Sequence, residues 1–67
     1  RKEFELLYFL AKNKNRIFSR EQILNSVWGQ DVIVGDRTVD VHVRKLRDKL
    51  YQDVIVTARG VGYKINA

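Results

Sequence analysis

The sequence contains no cysteine, no proline and no methionine, and only one histidine and one tryptophan among its 67 residues. Each shortage closes a route. Without cysteine there is no disulfide to brace a thin core and no thiolate to hold zinc, and His42 cannot assemble a metal site alone, so neither metal nor cofactor is expected. No apolar run approaches the roughly 18 residues that a membrane span needs, and no charged-then-apolar leader opens the chain. The expectation is a cytoplasmic protein with no membrane partner. No proline, repeat or low-complexity run marks an internal boundary, so residues 1–67 are read as one domain. The missing methionine, with Arg1 standing directly against an apparent helix, leads to the expectation that this domain is N-terminally incomplete. A chain this short buries only roughly 60% of its unfolded surface. At 45% apolar and 31% charged residues it is nonetheless composed like a folded domain, held by hydrophobic packing alone.

What is present is positive charge, unevenly placed. The net charge is +5. Residues 1–36 carry six Lys/Arg against five Asp/Glu, whereas residues 37–67 carry seven against three. The second half is therefore the polyanion-facing half, although a basic balance by itself also serves solubility.

Periodicity gives three helices and a hairpin. In RKEFELLYFLAKN the residues Phe4, Leu7, Tyr8 and Ala11 fall at helical spacing, and Leu6, Phe9 and Leu10 widen the stripe. After the polar break Asn13–Arg16, FSREQIL predicts a helix from Arg20: Ser19 and Gln22 form a capping box and Phe18 is placed to staple onto Ile23. Gly29 is the expected end of this nine-residue helix. A loop follows from Gln30 to Gly35. Asp36 is the expected N-cap of a third helix, on which Val39, Val43, Leu46 and Leu50 form one inward stripe. VIVTARGVGYKI then reads as a β-hairpin, β-branched residues flanking two glycines. Alternation would put Ile55, Thr57 and Arg59 on one face and Val54, Val56 and Ala58 on the other.

With its apolar stripe turned inward, the third helix presents Arg37, Asp40, Val41, Arg44, Lys45 and Asp48 outward, with Arg47 and His42 on its flanks. That layout suits a DNA major groove. Val41 is placed to meet a thymine methyl, Arg44 or Lys45 to donate to guanine O6 and N7, and the flanking groups to hold phosphates. The competing description is a solvated face with intrahelical pairs Asp40–Arg44 and Arg44–Asp48. Two short helices ahead of a basic third one, followed by a hairpin that projects Arg59 toward a minor groove, favour the DNA reading. Thr57 and Tyr63 are candidate phosphate donors, Gly60 and Gly62 serve the turn, and Trp28 belongs to the core or reaches a phosphate through its indole N–H. Catalysis is not expected: Ser19 is used as a cap, His42 has no nucleophile beside it, and no phosphate-cradling loop occurs. A module that binds protein or structured RNA is the alternative.

FSREQIL with the following VW, then DRTVDVHVRKLRDKL, then TARGVGYK closely resemble, in order and over nearly the whole chain, the output domain of OmpR/PhoB-type bacterial two-component response regulators. The resemblance implies a mainly α three-helix winged helix-turn-helix with a C-terminal β-hairpin, lacking the family's N-terminal sheet. Recognition helix 36–50 would lie in the major groove and wing 54–65 in the minor groove of double-stranded promoter DNA, to regulate transcription. It implies groove contacts from Val41, Arg44 and Lys45 and phosphate contacts from Trp28, Arg37, Thr38, His42, Arg47, Thr57 and Tyr63. Arg59 and Gly60 match the wing. Gln30, Asp31, Val32, Ile33, Val34 and Gly35 match a loop that touches RNA polymerase. A dimer on DNA and a sensor histidine kinase, acting through a receiver domain outside this sequence, are the remaining implied partners. Lys45 stands where many relatives have arginine, which weakens bidentate guanine reading there. Ala58 replaces a frequent valine, and the Leu50–Val54 connection is shorter than in many relatives.

Overall fold

The computed structural model describes residues 2–29 and 34–66. Helix α1 spans Lys2–Lys12, α2 spans Arg20–Ile23 and runs into a π-helical turn over Leu24–Trp28, and α3 spans Arg37–Lys49. A 3-10 turn at Gln52–Val54 leads into β1, Ile55–Ala58, which pairs antiparallel with β2, Gly62–Ile65, in the register Ile55↔Ile65 to Ala58↔Gly62. This is the expected arrangement of three helices and a C-terminal hairpin.

Helix α1 has no Gly or β-branched residue, and it carries Glu3 and Glu5 in its first turn and Lys12 in its last, each favourable to the helix dipole. Asn13 closes it by donating its side-chain amide to the Phe9 carbonyl at 2.8 Å. The inward stripe differs from the expected one. Leu6 and Leu10 are fully buried, while Phe4 and Tyr8 are 60% and 66% exposed and Ala11 is exposed. Apolar residues surround most of this helix, so spacing alone does not choose the inward side. Leu6 and Leu10 lie in line with Glu3, which accepts an ion pair from Lys49 at the end of α3 at 2.6 Å.

The capping box at α2 forms as expected. Ser19 Oγ accepts from the Gln22 amide at 3.1 Å, and Gln22 Oε1 accepts from the Ser19 amide at 2.8 Å. Helicity continues to Trp28, the length expected, but its second part widens: the Gly29 amide donates to the Leu24 carbonyl five residues back at 3.0 Å. Lys2 Nζ donates to the Val27 carbonyl at 3.0 Å, satisfying a group at this helix end.

Two expectations at α3 are corrected. Asp36 has helical dihedrals and makes no side-chain cap bond. The first turn is instead closed by the Thr38 and Val39 amides donating to the Gly35 and Asp36 carbonyls. The buried stripe is Val39, Val43 and Leu46; Leu50, at the unwound helix end with φ −108° and ψ −83°, is 48% exposed. Strand alternation is corrected as well. Val54 and Ile55 are both buried because Val54 belongs to the 3-10 turn, and beyond them Val56 and Thr57 are both exposed on a two-stranded ribbon.

The core joins Leu6, Leu10, Phe18, Ile23, Val27, Val39, Val43, Leu46, Val54, Ile55 and Tyr63. An unexpected element completes it. Phe18 and Tyr63 form an antiparallel bridge, each amide donating to the other's carbonyl at 2.9 Å, so the segment before α2 lies along β2 as a third, one-residue strand. Gly62 makes this approach possible. A Cβ there would stand 1.8 Å from the Phe18 carbonyl oxygen.

Candidate nucleic-acid interface

Helix α3 divides into four sides, and each has a different job. The inward side is Val39, Val43 and Leu46. The opposite side carries Arg37, Val41, Arg44, Lys45 and Asp48, all exposed. Spacings of four, three and four from Arg37 through Val41 and Arg44 to Asp48 place these residues on one stripe. Val41 is 48% exposed, an outward aliphatic side chain amid charges. Neither Asp40–Arg44 nor Arg44–Asp48 pairs; the ion pairs among the described residues are Lys2–Glu5, Arg20–Asp40 and Lys49–Glu3.

The two flanks are occupied. Asp40 and Arg47, seven residues apart, face the hairpin. Asp40, expected to point outward, is half-buried: its Oδ1 accepts from Arg20 Nε at 2.7 Å and from the Tyr63 hydroxyl at 2.6 Å. Burial works against its ionisation, but the bonds from Tyr63 and Arg20 outweigh that and hold its carboxyl below the ordinary carboxylate value. Burial, then the bond to Asp40, raises the Tyr63 phenol above its ordinary value. Arg47 donates Nε and Nη2 to the Ile55 carbonyl at 3.2 and 2.7 Å and Nη2 to Thr57 Oγ1 at 2.9 Å. The other flank turns toward Trp28 and α1. His42 meets the Trp28 ring edge-on at 5.0 Å between centroids, and its Nδ1 lies 2.8 Å from the Thr38 carbonyl. A carbonyl only accepts, so Nδ1 carries the proton and Nε2 is left for a second partner.

These contacts sort the expected site residues. Arg37, Val41, Arg44 and Lys45 are brought together on the outward stripe, and Arg59 and Gly60 stand exposed at the hairpin tip, Gly60 with φ +75°. Thr57 is exposed; its oxygen accepts from Arg47, which leaves its own hydroxyl proton to give. Trp28, Thr38 and His42 are half-buried. Two expectations change. Tyr63 is only 5% exposed and already donates its hydroxyl proton to Asp40, so it is not an open phosphate donor. Arg47 is a strut between α3 and β1 rather than an open cation. Val34 and Gly35 are exposed, and Gln30, Asp31, Val32 and Ile33 lie outside the described residues. The parts that Arg20 and the buried Phe18 play in anchoring the hairpin were not legible, because their partners lie 20 or more residues away and no local pattern announces them.

On α3 the uncommitted charge is confined to the outward stripe: among the described residues, Arg37, Arg44 and Lys45 enter no hydrogen bond or ion pair, whereas Arg47 and Lys49 do. Among the other described cations Arg59 at the hairpin tip is unpaired, as are Lys12, Lys14, Arg16 and Lys64, while Lys2 and Arg20 are paired. A cavity of about 200 Å³ lies between α1 and the π turn, lined by Glu5, Tyr8, Phe9, Lys12, Ser26 and Val27; no residue of the expected site borders it. Among the described residues no group of His, Cys, Asp or Glu side chains is gathered to hold a metal ion, and no helix is long and apolar enough to cross a membrane.

Comparison with known proteins converges on one group. The family described as "Transcriptional regulatory protein, C terminal" matches residues 1–65. The phosphate regulon transcriptional regulatory protein PhoB of Klebsiella pneumoniae is 49% identical over 69 residues, which is 97% of this chain and 30% of that protein. The chain therefore spans about a third of the length of such relatives. Among solved structures, the DNA-binding domain of Bacillus subtilis CssR is 43% identical with a TM-score of 0.87, covering 97% of this chain and 74% of that one. The DNA-binding domain of the response regulator AdeR, in complex with an intercistronic region, is 31% identical with a TM-score of 0.82, covering 98% of this chain and 69% of that one. Sequence, topology and the exposed basic stripe agree: the chain belongs to the OmpR/PhoB-type winged-helix family of transcriptional regulatory protein C-terminal domains.

Proposed function

We propose that this chain binds double-stranded promoter DNA in a sequence-specific manner, with α3 in the major groove and the tip of the β1–β2 hairpin in the adjacent minor groove, as the output module of a two-component response regulator. One observation carries the proposal: the flanking cations of α3 are used inside the fold, and the outward stripe Arg37, Val41, Arg44 and Lys45 is not. Exposed cations in line release counterions when they meet phosphates, which favours any duplex. Val41 adds what a purely electrostatic surface lacks. An aliphatic group at the centre of the stripe gains by covering a thymine methyl, and Arg44 and Lys45 one turn further on are within reach of purine acceptors of neighbouring base pairs.

In this reading Arg37, Thr38, His42, Thr57 and the Trp28 indole set the register on the phosphates, and Arg59 follows minor-groove width. Gly60 lets the tip approach the groove. Nothing in this chemistry requires a catalytic group or cofactor. Two copies on paired half-sites, contact between the 30–35 loop and RNA polymerase, control by a sensor histidine kinase and action in the bacterial cytoplasm complete the proposal. The test is selection of genomic DNA fragments by the intact protein, followed by footprinting at several salt concentrations. Enrichment of one duplex, with major-groove protection flanked by minor-groove protection, is expected. Enrichment of no duplex would refute it.

A further inference from the structure

We propose that Asp40 is a positioning residue that sets the angle between the reading helix and the wing, so that both grooves are engaged at once; this rests on the DNA-binding reading above. Asp40 sits on the reading helix but does not belong to its outward stripe. Its Oδ1 takes the Tyr63 hydroxyl proton at 2.6 Å and the Arg20 Nε proton at 2.7 Å, so a single carboxylate oxygen joins α3 to β2 and to α2. The Tyr63 ring lies beside two guanidinium groups, Arg20 at 5.6 Å and Arg47 at 5.9 Å. Its backbone is bridged to Phe18, and across the hairpin it pairs with Thr57, the residue that Arg47 holds. Tyr63 is therefore the point through which strand β2 is fixed to the helices, with Asp40 as its partner on α3, while Arg47 fixes β1.

The wing itself is short and exposed beyond this anchor. Arg59, Gly60 and Val61 all face solvent and, among the described residues, make no side-chain bond to the helices, so the tip follows the direction set by its anchored base. Two side chains of α3, Asp40 and Arg47, seven residues apart, define the hairpin direction as two struts define a plane. Charge supports the assignment. Asp40 neutralises Arg20 within the fold, so its role is not to attract DNA: a carboxylate beside a phosphate surface opposes binding unless it does something else.

The test is a double-mutant cycle in the intact protein, using Asp40→Asn, Arg59→Ala and the pair, read on the selected duplex and on a scrambled one. Asp40→Asn is expected to weaken cognate binding about tenfold while scrambled binding stays level or rises, because a negative charge is removed. In the Arg59→Ala background, where the wing tip no longer contributes, Asp40→Asn is expected to cost less than about twofold. Tyr63→Phe serves as a second variant, with the same expected loss on the cognate duplex and no gain on the scrambled one, since it removes the bond to Asp40 but no charge. Additive losses would overturn the proposal in favour of direct base contact by Asp40, as would parallel losses on both duplexes or no loss on either. Hydrogen exchange of the free protein supplies a readout independent of DNA. Asp40→Asn is expected to speed exchange of the β1–β2 amides at least tenfold relative to those of α1, and unchanged hairpin protection would overturn the proposal even if no duplex were bound by the parent protein.

Discussion

Replacing Gly62 by alanine is expected to damage this fold far more than the same change at any other described glycine. The added Cβ would stand 1.8 Å from the Phe18 carbonyl oxygen, 2.6 Å from its carbon and 2.8 Å from Ser19 Cα, all backbone atoms that no rotamer change can move. An ordinary carbon–oxygen contact is about 3.3 Å, so the strands must part by roughly 1.5 Å. Both 2.9 Å bonds of the Phe18–Tyr63 bridge would then exceed hydrogen-bonding distance. Two bonds lost contribute about 1–3 kcal/mol, and residual overpacking about 1–3 kcal/mol more. Restricting the unfolded chain returns about 0.4–1 kcal/mol. The net loss is about 1–5 kcal/mol, against a total of about 3–10 kcal/mol for a chain of this size. Urea unfolding followed by Trp28 fluorescence reads it as a midpoint shift of about 1 M or more at a slope of about 1 kcal/mol/M. Gly60→Ala meets open space but keeps φ +75°, so about 1 kcal/mol is expected, and Gly35→Ala, with open space and no positive φ, should be near neutral. A Gly62→Ala midpoint within the error of the parent, or a larger loss at Gly60, would refute the close approach.

Leu46→Ala, at a fully buried site, should cost about 2–5 kcal/mol, whereas Leu50→Ala at the exposed helix end should cost under about 1 kcal/mol; equal losses in urea unfolding would restore Leu50 to the inward stripe. Lys45→Ala should weaken cognate binding by about 1 kcal/mol with a smaller effect on scrambled DNA, while Arg37→Ala should weaken both and lower the salt slope by about one unit. Fluorescence anisotropy at several salt concentrations separates the two, and identical slopes and ratios would remove the division of roles. The Asp40 carboxyl is held below its unfolded value, so its stabilisation is complete above that value and is lost as pH falls through the folded one. Tyr63, raised, contributes below its ordinary value and loses that contribution as pH rises through the folded one. Asp40→Asn should therefore flatten the acid limb of the stability profile below about pH 4, and an acid limb unchanged in that variant would deny Asp40 its part in the bond network.

Local pattern was enough to specify the elements of this protein. The Ser19–Gln22 capping box, the nine-residue extent of the second helical segment, the Val39–Val43–Leu46 stripe and the hairpin around Gly60 are short-range features, and each formed where the residues indicate. The outward stripe with Val41 and Arg44 was legible for the same reason, since helix geometry fixes which residues share a side. Tertiary structure decided what those patterns left degenerate. It chose Leu6 and Leu10 over Phe4 and Tyr8 in a helix that is apolar nearly all round, because only one side meets α3 and the π turn. It turned Asp40 away from the outward stripe and took Arg47 and Tyr63 out of the candidate DNA contacts by supplying partners 8 to 23 residues away, a pairing that side-chain chemistry permits but does not locate. Gly62, read as a turn residue, became the place where two backbones touch. Sequence determined where the elements lie and the stripe that joins Arg37, Val41, Arg44 and Lys45 on α3; the packing of the elements determined the inward side of α1 and which of the remaining polar groups are taken up inside the fold.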